Sequence, residues 1–288
     1  MDITGNAFVT GGGSGIGKAV CLALAKEGAS GIFIVDMNPK AAEATVVEIT
    51  SVASNPRFRA EVFPADITVE DSVKTAVARM VQSFGRIDYC VHCAGIIEDK
   101  FVPVDEISFP DFQATVSSQV YGTFLVIGQT SAVMKAQELK LKDSAHPQLG
   151  GSRGSIVVLG SILSHLVSRS MGAYAASKHA VLGIAKTAAI ENASFGIRVN
   201  CICPTWVDTP MFYRVLEGMP GLDPQGVSNG MPMNRICTPQ EVADTILFLC
   251  SPRSSYITGI ALGIDGGHPL TLFYSSDGRA INLEQHVA

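Results

Sequence analysis

The feature that most constrains the fold is a regular alternation of short apolar runs with helical patterns along the chain. The apolar runs are rich in β-branched and aromatic residues and end at turn formers, which is typical of buried strands. Seven of them predict strands at residues 7–10, 31–36, 58–63, 87–92, 155–159, 197–203 and 260–264. Strands that alternate with helices pair in parallel through right-handed crossovers. The sequence therefore predicts an α/β fold with a doubly wound parallel sheet and helices on both faces.

Capping residues and apolar periodicity predict the helices between these strands. They span about residues 15–28, 39–49, 68–85, 111–135, 173–195 and 238–250, and Ser108 or Asp111 starts the fourth. Thr68 precedes two acidic residues and is predicted as an N-cap. The segment from Thr238 to Glu241 matches a capping box. Residues 138–153 are mostly polar and predict a surface loop.

Nothing along the 288 residues marks a boundary between two domains: there is no repeat, low-complexity segment or linker. A single domain over residues 1–288 is predicted, with residues 268–288 as a C-terminal tail. Charged residues make up 16% of the chain, against roughly 25% in an ordinary soluble domain. That low share suits a sheet covered on both faces, or a subunit that loses surface in an oligomer. A net charge of −5 argues against a nucleic-acid partner.

The sequence gives no indication of a membrane partner or a metal site. It shows no signal-peptide pattern and no apolar stretch near the roughly 18 residues that span a bilayer, so a cytoplasmic location is expected. The six histidines are scattered. Cys201 and Cys203 resemble half a metal site but lie in an apolar strand run, so we favour two buried thiols over metal ligands.

A glycine-rich loop, Thr10-Gly-Gly-Gly-Ser-Gly-Ile-Gly17, directly follows the first strand and opens the first helix. In that context glycines allow a tight turn and a close approach of a pyrophosphate to the helix N-terminus, as in Rossmann-type folds. The same stretch is one residue short of a Walker A loop. That motif needs Ser or Thr after the lysine to hold magnesium, and position 19 is alanine. A dinucleotide is therefore favoured over a nucleoside triphosphate.

Asp36 ends the second strand 19 residues after Gly17 (36 − 17 = 19). A dinucleotide fold places an acid about 20 residues beyond its glycines, where it binds the ribose hydroxyls of NAD. A carboxylate there would repel the 2′-phosphate of NADP. The alternative is a strand-end aspartate that caps the next helix. Together with the glycine loop, the spacing favours the ribose role and NAD as cofactor.

Tyr174 and Lys178 stand four residues apart in a predicted helix, so they share one face. A free tyrosine has a pKa near 10, and an ammonium close by favours its phenolate. Ser161, 13 residues before Tyr174 and just after a strand, can hydrogen-bond a reacting oxygen. A Tyr-x-x-x-Lys pair on its own is common on helix surfaces. The pair indicates general acid–base chemistry only in combination with the glycine loop and Ser161.

Taken together, these motifs resemble the short-chain dehydrogenase/reductase family over residues 7–267. The family order is a glycine loop, an Asp after strand three, Asn-Ala-Gly after strand four, Ser-Tyr-Lys, Pro-Gly, and a late Asp-Gly-Gly. By this resemblance the catalytic residues are Ser161, Tyr174, Lys178 and Gln119. The implied cofactor-binding residues are Gly11, Ser14, Gly15, Ile16, Gly17, Asp36, Asp66, Ile67, Cys93, Ala94, Gly95, Tyr174, Lys178, Pro204, Val207 and Thr209.

Three positions depart from the family pattern. Cys93 replaces the asparagine of Asn-Ala-Gly, which should weaken a hydrogen bond that ties strand four to its neighbours. Thr205 replaces the glycine of Pro-Gly and places a side chain near the expected nicotinamide pocket. Gln119 replaces an asparagine that helps hold a proton-relaying water in the family. Its amide sits on a longer stem, and we expect the relay to work.

The resemblance implies a hydride transfer between NAD and a secondary alcohol or ketone. Tyr174 would be the general acid/base, Lys178 would lower its pKa and bind the nicotinamide ribose, and Ser161 would orient the substrate oxygen. An NADPH-dependent carbonyl reductase is one alternative, which Asp36 disfavours. A redox-silent protein that binds a dinucleotide as a scaffold is another, disfavoured by the intact Ser161, Tyr174 and Lys178.

In the family, the region that corresponds to residues 206–237 covers the active site as a lid. Here it is rich in methionines and aromatics, which predicts a bulky, largely apolar small-molecule substrate such as a terpenoid, steroid or polyketide of secondary metabolism. These residues could instead only pack the lid onto the domain. The family also implies a homo-oligomer, a dimer or a tetramer. One apolar stripe could meet a second subunit or only the sheet: Phe112, Val116, Val120, Phe124 and Ile127.

Overall fold

The computed structural model describes residues 3–141, 150–219 and 221–271. Its main sheet has seven parallel strands: β1 (Asn6–Thr10), β2 (Gly31–Asp36), β3 (Arg59–Pro64), β4 (Tyr89–His92), β7 (Gly154–Leu159), β8 (Ile197–Pro204) and β9 (Ala261–Ile264). Two short strands outside this sheet are β5 (Lys140–Leu141) and β6 (Gly151–Ser152). The order across the main sheet is β3-β2-β1-β4-β7-β8-β9. The doubly wound, Rossmann-type fold predicted from the alternation is confirmed.

Nine α-helices lie within the described residues. They are α1 (Gly15–Lys26), α2 (Pro39–Val52), α3 (Glu70–Phe84), α4 (Phe109–Val116), α5 (Gly122–Ala136), α6 (Gly172–Ala193), α7 (Pro210–Gly218), α8 (Pro224–Asn229) and α9 (Pro239–Cys250). A π-helical turn, Ser117–Tyr121, joins α4 to α5. The single long helix predicted over this region is therefore interrupted, and because the wider turn changes the register, the predicted apolar stripe is split. Ile127 is buried, whereas Phe112 and Phe124 are exposed.

The sheet is covered on both faces because its strands alternate between two cores. In β1, Val9 packs with α1, α2 and α9, and Phe8 packs on the opposite face with α3, α5 and α6. Phe33 of β2 stacks on Phe8 with ring centroids 5.9 Å apart. Side chains two residues apart share a face of a strand, so near-continuous apolar strands supply both cores at once.

Two predicted local features differ in the structure. Val69, not Thr68, precedes the first turn of α3; the backbone N–H and hydroxyl of Thr68 both donate to Asp66 Oδ1, which draws Thr68 into the preceding turn. In the predicted surface loop, β5 (Lys140–Leu141) and β6 (Gly151–Ser152) form a short antiparallel pair. Most of the predicted tail, residues 272–288, lies outside the described residues.

The strand order reverses between β1 and β4, since the chain proceeds from β1 to β2 on one side and from β4 to β7 on the other. Crevices at the carboxyl ends of such strands are where open α/β sheets bind ligands. Thr10, His92, Leu159 and Pro204 end four neighbouring strands at this edge. The loops after them build the candidate site.

Candidate active site

A cavity of about 680 Å³ opens at the carboxyl edge of the sheet. Almost all of the residues predicted as catalytic or cofactor-binding line it. They are Gly11, Ser14, Gly15, Ile16, Gly17, Asp36, Ile67, Cys93, Ala94, Gly95, Gln119, Ser161, Tyr174, Lys178, Pro204, Val207 and Thr209. Asp66 does not reach the wall, because its carboxylate bonds to Thr68 while its neighbours Ala65 and Ile67 face the cavity.

One end of the cavity is a cradle of backbone at the N-terminus of α1. Gly11 and Gly15 adopt left-handed conformations, with φ of 71° and 51°. A Cβ at Gly17 would collide with the carbonyl oxygen of Gly11, so only glycine fits there. Ser14, the N-cap residue of α1, makes no capping bond with its side chain. The first N–H groups of α1 are thus left for an anionic ligand, and the cradle fits a dinucleotide pyrophosphate.

Asp36 lies beside this cradle. Its carboxylate accepts hydrogen bonds from the backbone N–H of Gly13 at 2.8 Å and of Asn38 at 2.9 Å. It therefore ties the end of β2 to the glycine loop, and its negative charge faces the cavity. Asn38, not Asp36, supplies the capping bond of α2. The helix cap that was the alternative role for Asp36 is therefore Asn38.

The candidate catalytic side chains meet at the middle of the cavity. Lys178 Nζ lies 5.3 Å from the centroid of the Tyr174 ring and donates to the carbonyl oxygen of Leu159 at 2.7 Å. Ser161 caps the turn after β7 by accepting from the Leu163 N–H at 3.1 Å. Burial raises the pKa of the Tyr174 phenol, and interaction with Ser161 opposes that rise. Burial lowers the pKa of Lys178 to about 8.

A buried histidine that the motif analysis did not single out ties β4 to its neighbours. His92 Nδ1 lies 2.7 Å from Thr10 Oγ1, and His92 Nε2 lies 3.1 Å from Thr123 Oγ1. The Thr123 hydroxyl donates its own proton to the main-chain carbonyl oxygen of Gln119, so it can only accept from His92. His92 therefore donates from Nε2 and accepts at Nδ1. Burial lowers the pKa of His92 to about 3 and keeps the ring neutral.

This chain of bonds bears on Cys93, the first departure from the family pattern. Cys93 and Ala94 donate their backbone N–H groups to the carbonyl oxygen and hydroxyl of Thr10, at 3.2 Å each. Together with His92, these bonds hold the end of β4 against β1. The end of β4 is thus bonded to β1 through groups other than the Cys93 side chain.

Gln119, the second departure, lies in the π-helical turn and is buried. Its Nε2 donates to the carbonyl oxygen of Ile96 at 2.6 Å, and its amide covers Gly95, where a Cβ would lie 2.7 Å from Nε2. The main-chain carbonyl oxygen of Gln119 accepts from the Thr123 hydroxyl. The side chain therefore fixes the loop after β4, and its part in a proton relay stays a prediction.

Thr205, the third departure, lines the cavity and places Oγ1 2.9 Å from Nδ1 of His268. His268 lines the cavity too, and burial lowers its pKa. Sixty-three residues separate this pair in the chain. Sequence reasoning missed His268 because no local motif marks it; only the fold brings it to the cavity.

Most of the remaining wall is apolar, although Ser118, Ser168 and Arg214 also line the cavity. Ile97, Met171 and Val215 form its buried centre. Around them pack Phe101, Leu163, Tyr174, Trp206, Met211 and Met219. Trp206 also packs edge-on against Phe212, with ring centroids 5.7 Å apart. The two ends of the predicted lid are joined by a single β-bridge. There the Asp208 N–H donates to the Cys237 carbonyl oxygen, and the Cys237 N–H donates to the Trp206 carbonyl oxygen.

Within residues 3–141, 150–219 and 221–271, no group of three or more His, Cys, Asp or Glu side chains is placed to hold a metal ion. Cys201 and Cys203 are buried free thiols with sulfur atoms 3.9 Å apart. No helix in that same part of the chain combines the length and apolarity needed to cross a membrane.

Comparison with known proteins matches residues 11–268 to a family model described as enoyl-(acyl carrier protein) reductase. The chain belongs to the short-chain dehydrogenase/reductase family. It is 48% identical over 271 residues to the short-chain dehydrogenase fogB of Aspergillus ruber, covering 94% of this chain and 99% of fogB. As a member of this family, the chain is an oxidoreductase.

Solved structures that share this fold include two reductases. Levodione reductase superposes with a TM-score of 0.82 at 28% identity, over 94% of this chain and 99% of that chain. A 3-ketoacyl-(acyl-carrier-protein) reductase from Brucella melitensis, complexed with NADH, has a TM-score of 0.78 at 29% identity, covering 92% and 99%.

Proposed function

We propose that this dehydrogenase interconverts a secondary alcohol and a ketone with NAD as the hydride carrier. The observation that carries the proposal is the meeting of Tyr174, Lys178 and Ser161 in one cavity with the glycine cradle. When bound, the nicotinamide ring would exchange a hydride with the carbinol carbon. The protein's task is to hold that carbon in place and to move the proton of its oxygen.

Tyr174 is assigned the proton transfer. In reduction its phenol donates a proton to the carbonyl oxygen, and in oxidation its phenolate takes the proton of the alcohol. The raised pKa of the phenol keeps it protonated at neutral pH, which suits reduction and makes oxidation faster as the pH rises. Lys178 supplies a positive charge beside the ring, and the Ser161 hydroxyl orients the substrate oxygen.

The preference for NAD rests on Asp36. Its carboxylate lines the cavity beside the glycine cradle, where it would accept bonds from ribose hydroxyls and repel a 2′-phosphate. The likeness to a reductase structure that contains NADH is consistent with this choice. An NADPH-dependent carbonyl reductase remains the second candidate, since burial raises the pKa of the phenol and so holds it in the protonated form that reduction needs.

The apolar wall supports a bulky, largely apolar substrate such as a terpenoid, steroid or polyketide, and with it a role in secondary metabolism. Ile97, Met171 and Val215 offer no polar partner for a sugar, whereas the methionines nearby adapt to varied apolar shapes. Residues 206–237 act as the lid in this proposal, because their two ends join at one bridge and can move as a unit. The setting is cytoplasmic, and the subunits form a homo-oligomer.

The substrate class is tested by kcat/KM over secondary alcohols of rising size and apolarity with NAD, and over the matching ketones with NADH. The proposal expects kcat/KM to rise as apolar area is added, by about a factor of three to four per buried methylene. Short polyols with the same number of carbon atoms as the smaller alcohols are the control. A best substrate that is small and polar would contradict the assignment of the wall to substrate binding.

A further inference from the structure

A buried carboxyl group lies behind the candidate catalytic tyrosine. Glu98, in the loop after β4, is 4% exposed, although its neighbours Asp99 and Lys100 are exposed to solvent. Glu98 Oε1 accepts a hydrogen bond from the backbone N–H of Tyr174 at 3.3 Å. Oε2 has no hydrogen-bond partner among the described residues. A buried acid that leaves one oxygen unpaired is costly, which calls for a reason.

The N-terminus of α6 gives one reason. Met171 is the N-cap residue of α6 and provides no side-chain cap. Tyr174 is the third residue of this helix, and the first N–H groups of a helix have no acceptor within it. A carboxylate is the best partner for such a group, since it also meets the positive end of the helix dipole. Glu98 thus caps from a separate loop the turn that carries the phenol.

The charges around the phenol give a second reason. Lys178 of α6 is the cation beside Tyr174, Cys203 of β8 and Ser161 of the loop after β7 face it, and Glu98 approaches from the loop after β4. Burial is the main cause of the raised pKa of Tyr174, and the negative charge of Glu98 adds to it; burial also raises the pKa of Glu98 itself. Lys178 and Glu98 therefore act on the phenol in opposite directions.

We propose that Glu98 is a positioning residue: its buried carboxylate holds the first turn of α6, and with it Tyr174, by the Tyr174 backbone N–H, and places a negative charge near the phenol. This rests on the proposed role of Tyr174 as the acid/base. In an enzyme arranged in this way the phenol stays protonated, and so available as the acid, up to a higher pH, and the phenolate that alcohol oxidation needs forms only at higher pH. Glu98 and Lys178 together set the pH above which the Tyr174 phenol gives way to the phenolate.

The test measures the phenol without turnover, so that it stands even if no substrate is found. A fluorinated tyrosine is placed at position 174 of the full chain, and its pKa is followed by ¹⁹F NMR. Glu98→Gln, which keeps an acceptor oxygen but removes the charge, should lower that pKa by about half a unit or more. Asp99→Asn, the same change at the exposed neighbour, should lower it by less than half as much. The charge role is wrong if both variants shift the pKa of the fluorinated tyrosine equally, or if Glu98→Gln does not shift it.

The capping role is tested by thermal unfolding. Glu98→Leu removes the acceptor for the Tyr174 N–H and should lower Tm by several degrees, whereas Glu98→Gln should stay near the wild type. If Glu98→Leu unfolds at the wild-type temperature, the capping role is wrong. If Glu98→Leu fails to fold, the fluorophenol pKa of Glu98→Gln still decides the proposal. If the wild type turns over none of the alcohols or ketones, the proposed function is contradicted. The fluorotyrosine pKa and the Tm still test the role of Glu98 in that case.

Discussion

Lys178 Nζ lies 5.3 Å from the centroid of the Tyr174 ring, and the residue is only 4% exposed although it lines the cavity. Its one hydrogen-bond acceptor among the described residues is the carbonyl oxygen of Leu159, at 2.7 Å. A buried ammonium with one neutral acceptor is expensive to keep charged. The fold thus gives up stability to place a cation beside the phenol.

This cost predicts that Lys178→Met stabilises the protein at neutral pH while it removes activity. The pKa of Lys178 falls from 10.5 to about 8 on folding, which corresponds to about 3 kcal/mol against the charged form. The lost bond to Leu159 offsets part of this gain. Chemical denaturation at pH 7 should show a higher free energy of unfolding for the variant than for the wild type.

The sign of the pH dependence follows from the same shift. Below pH 8 both folded and unfolded states hold the proton, so the wild type bears the full penalty. Between pH 8 and 10.5 the unfolded state binds more protons, so wild-type stability rises and its gap to Lys178→Met closes. Lys186→Met, at an exposed position of α6, is the control and should show neither effect. A gap that is the same at pH 7 and pH 10 would refute this account.

Asp36→Asn should narrow the preference for NAD over NADP. The amide oxygen can still accept from Gly13 or Asn38, but the charge that repels a 2′-phosphate is gone. We expect the ratio of the two Kd values to change by about tenfold or more, measured by direct titration. Glu43→Gln, at an exposed position of α2, controls for the loss of one negative charge. Tighter binding of NADP by the wild type would show that the interpretation of Asp36 is wrong.

Thr123→Val should destabilise the protein by about 1–3 kcal/mol, although valine has nearly the same shape. The change leaves His92 Nε2–H and the Gln119 carbonyl oxygen without their hydroxyl partner inside the core. Thr130→Val should cost less, because the Thr130 hydroxyl donates to backbone carbonyls of its own helix and otherwise meets only the weakly hydrogen-bonding Cys90 thiol. Urea unfolding of both variants checks this. Equal losses of unfolding free energy in the two variants would show that the bond between His92 and Thr123 does not stabilise the end of β4.

The exposed aromatic residues of α4 and α5 predict a homo-oligomer. Phe109 is 73% exposed and Phe124 is 63% exposed, and two further aromatic side chains of this region, Phe112 and Tyr121, are also exposed. Phe124→Glu should shift the mass measured by light scattering from a multiple of 30.3 kDa toward that of one chain. Val47→Glu, at an exposed position of α2, should leave the mass unchanged. A monomeric wild type at micromolar concentration would reject the oligomer.

The sequence predicts the fold wherever the signal is local. The strand Gly31–Asp36 has the predicted bounds, and the capping box from Thr238 to Glu241 is confirmed, because both depend on neighbours in the chain. The π-helical turn Ser117–Tyr121 escapes prediction, since apolar spacing continues through it. The partners His92–Thr123 and Thr205–His268 escape as well, because 31 and 63 residues separate them and only the tertiary fold brings them together.

The central claim, that Tyr174 moves the proton in a nicotinamide-dependent reaction, is tested most directly by one comparison. The nicotinamide absorbance change is followed with the best alcohol of the panel, for the wild type and for Tyr174→Phe. The variant should bind NAD with an unchanged Kd and keep its Tm, yet turn over at least about 100-fold more slowly. Turnover within a few-fold of the wild type would contradict the assignment of Tyr174 as the acid/base.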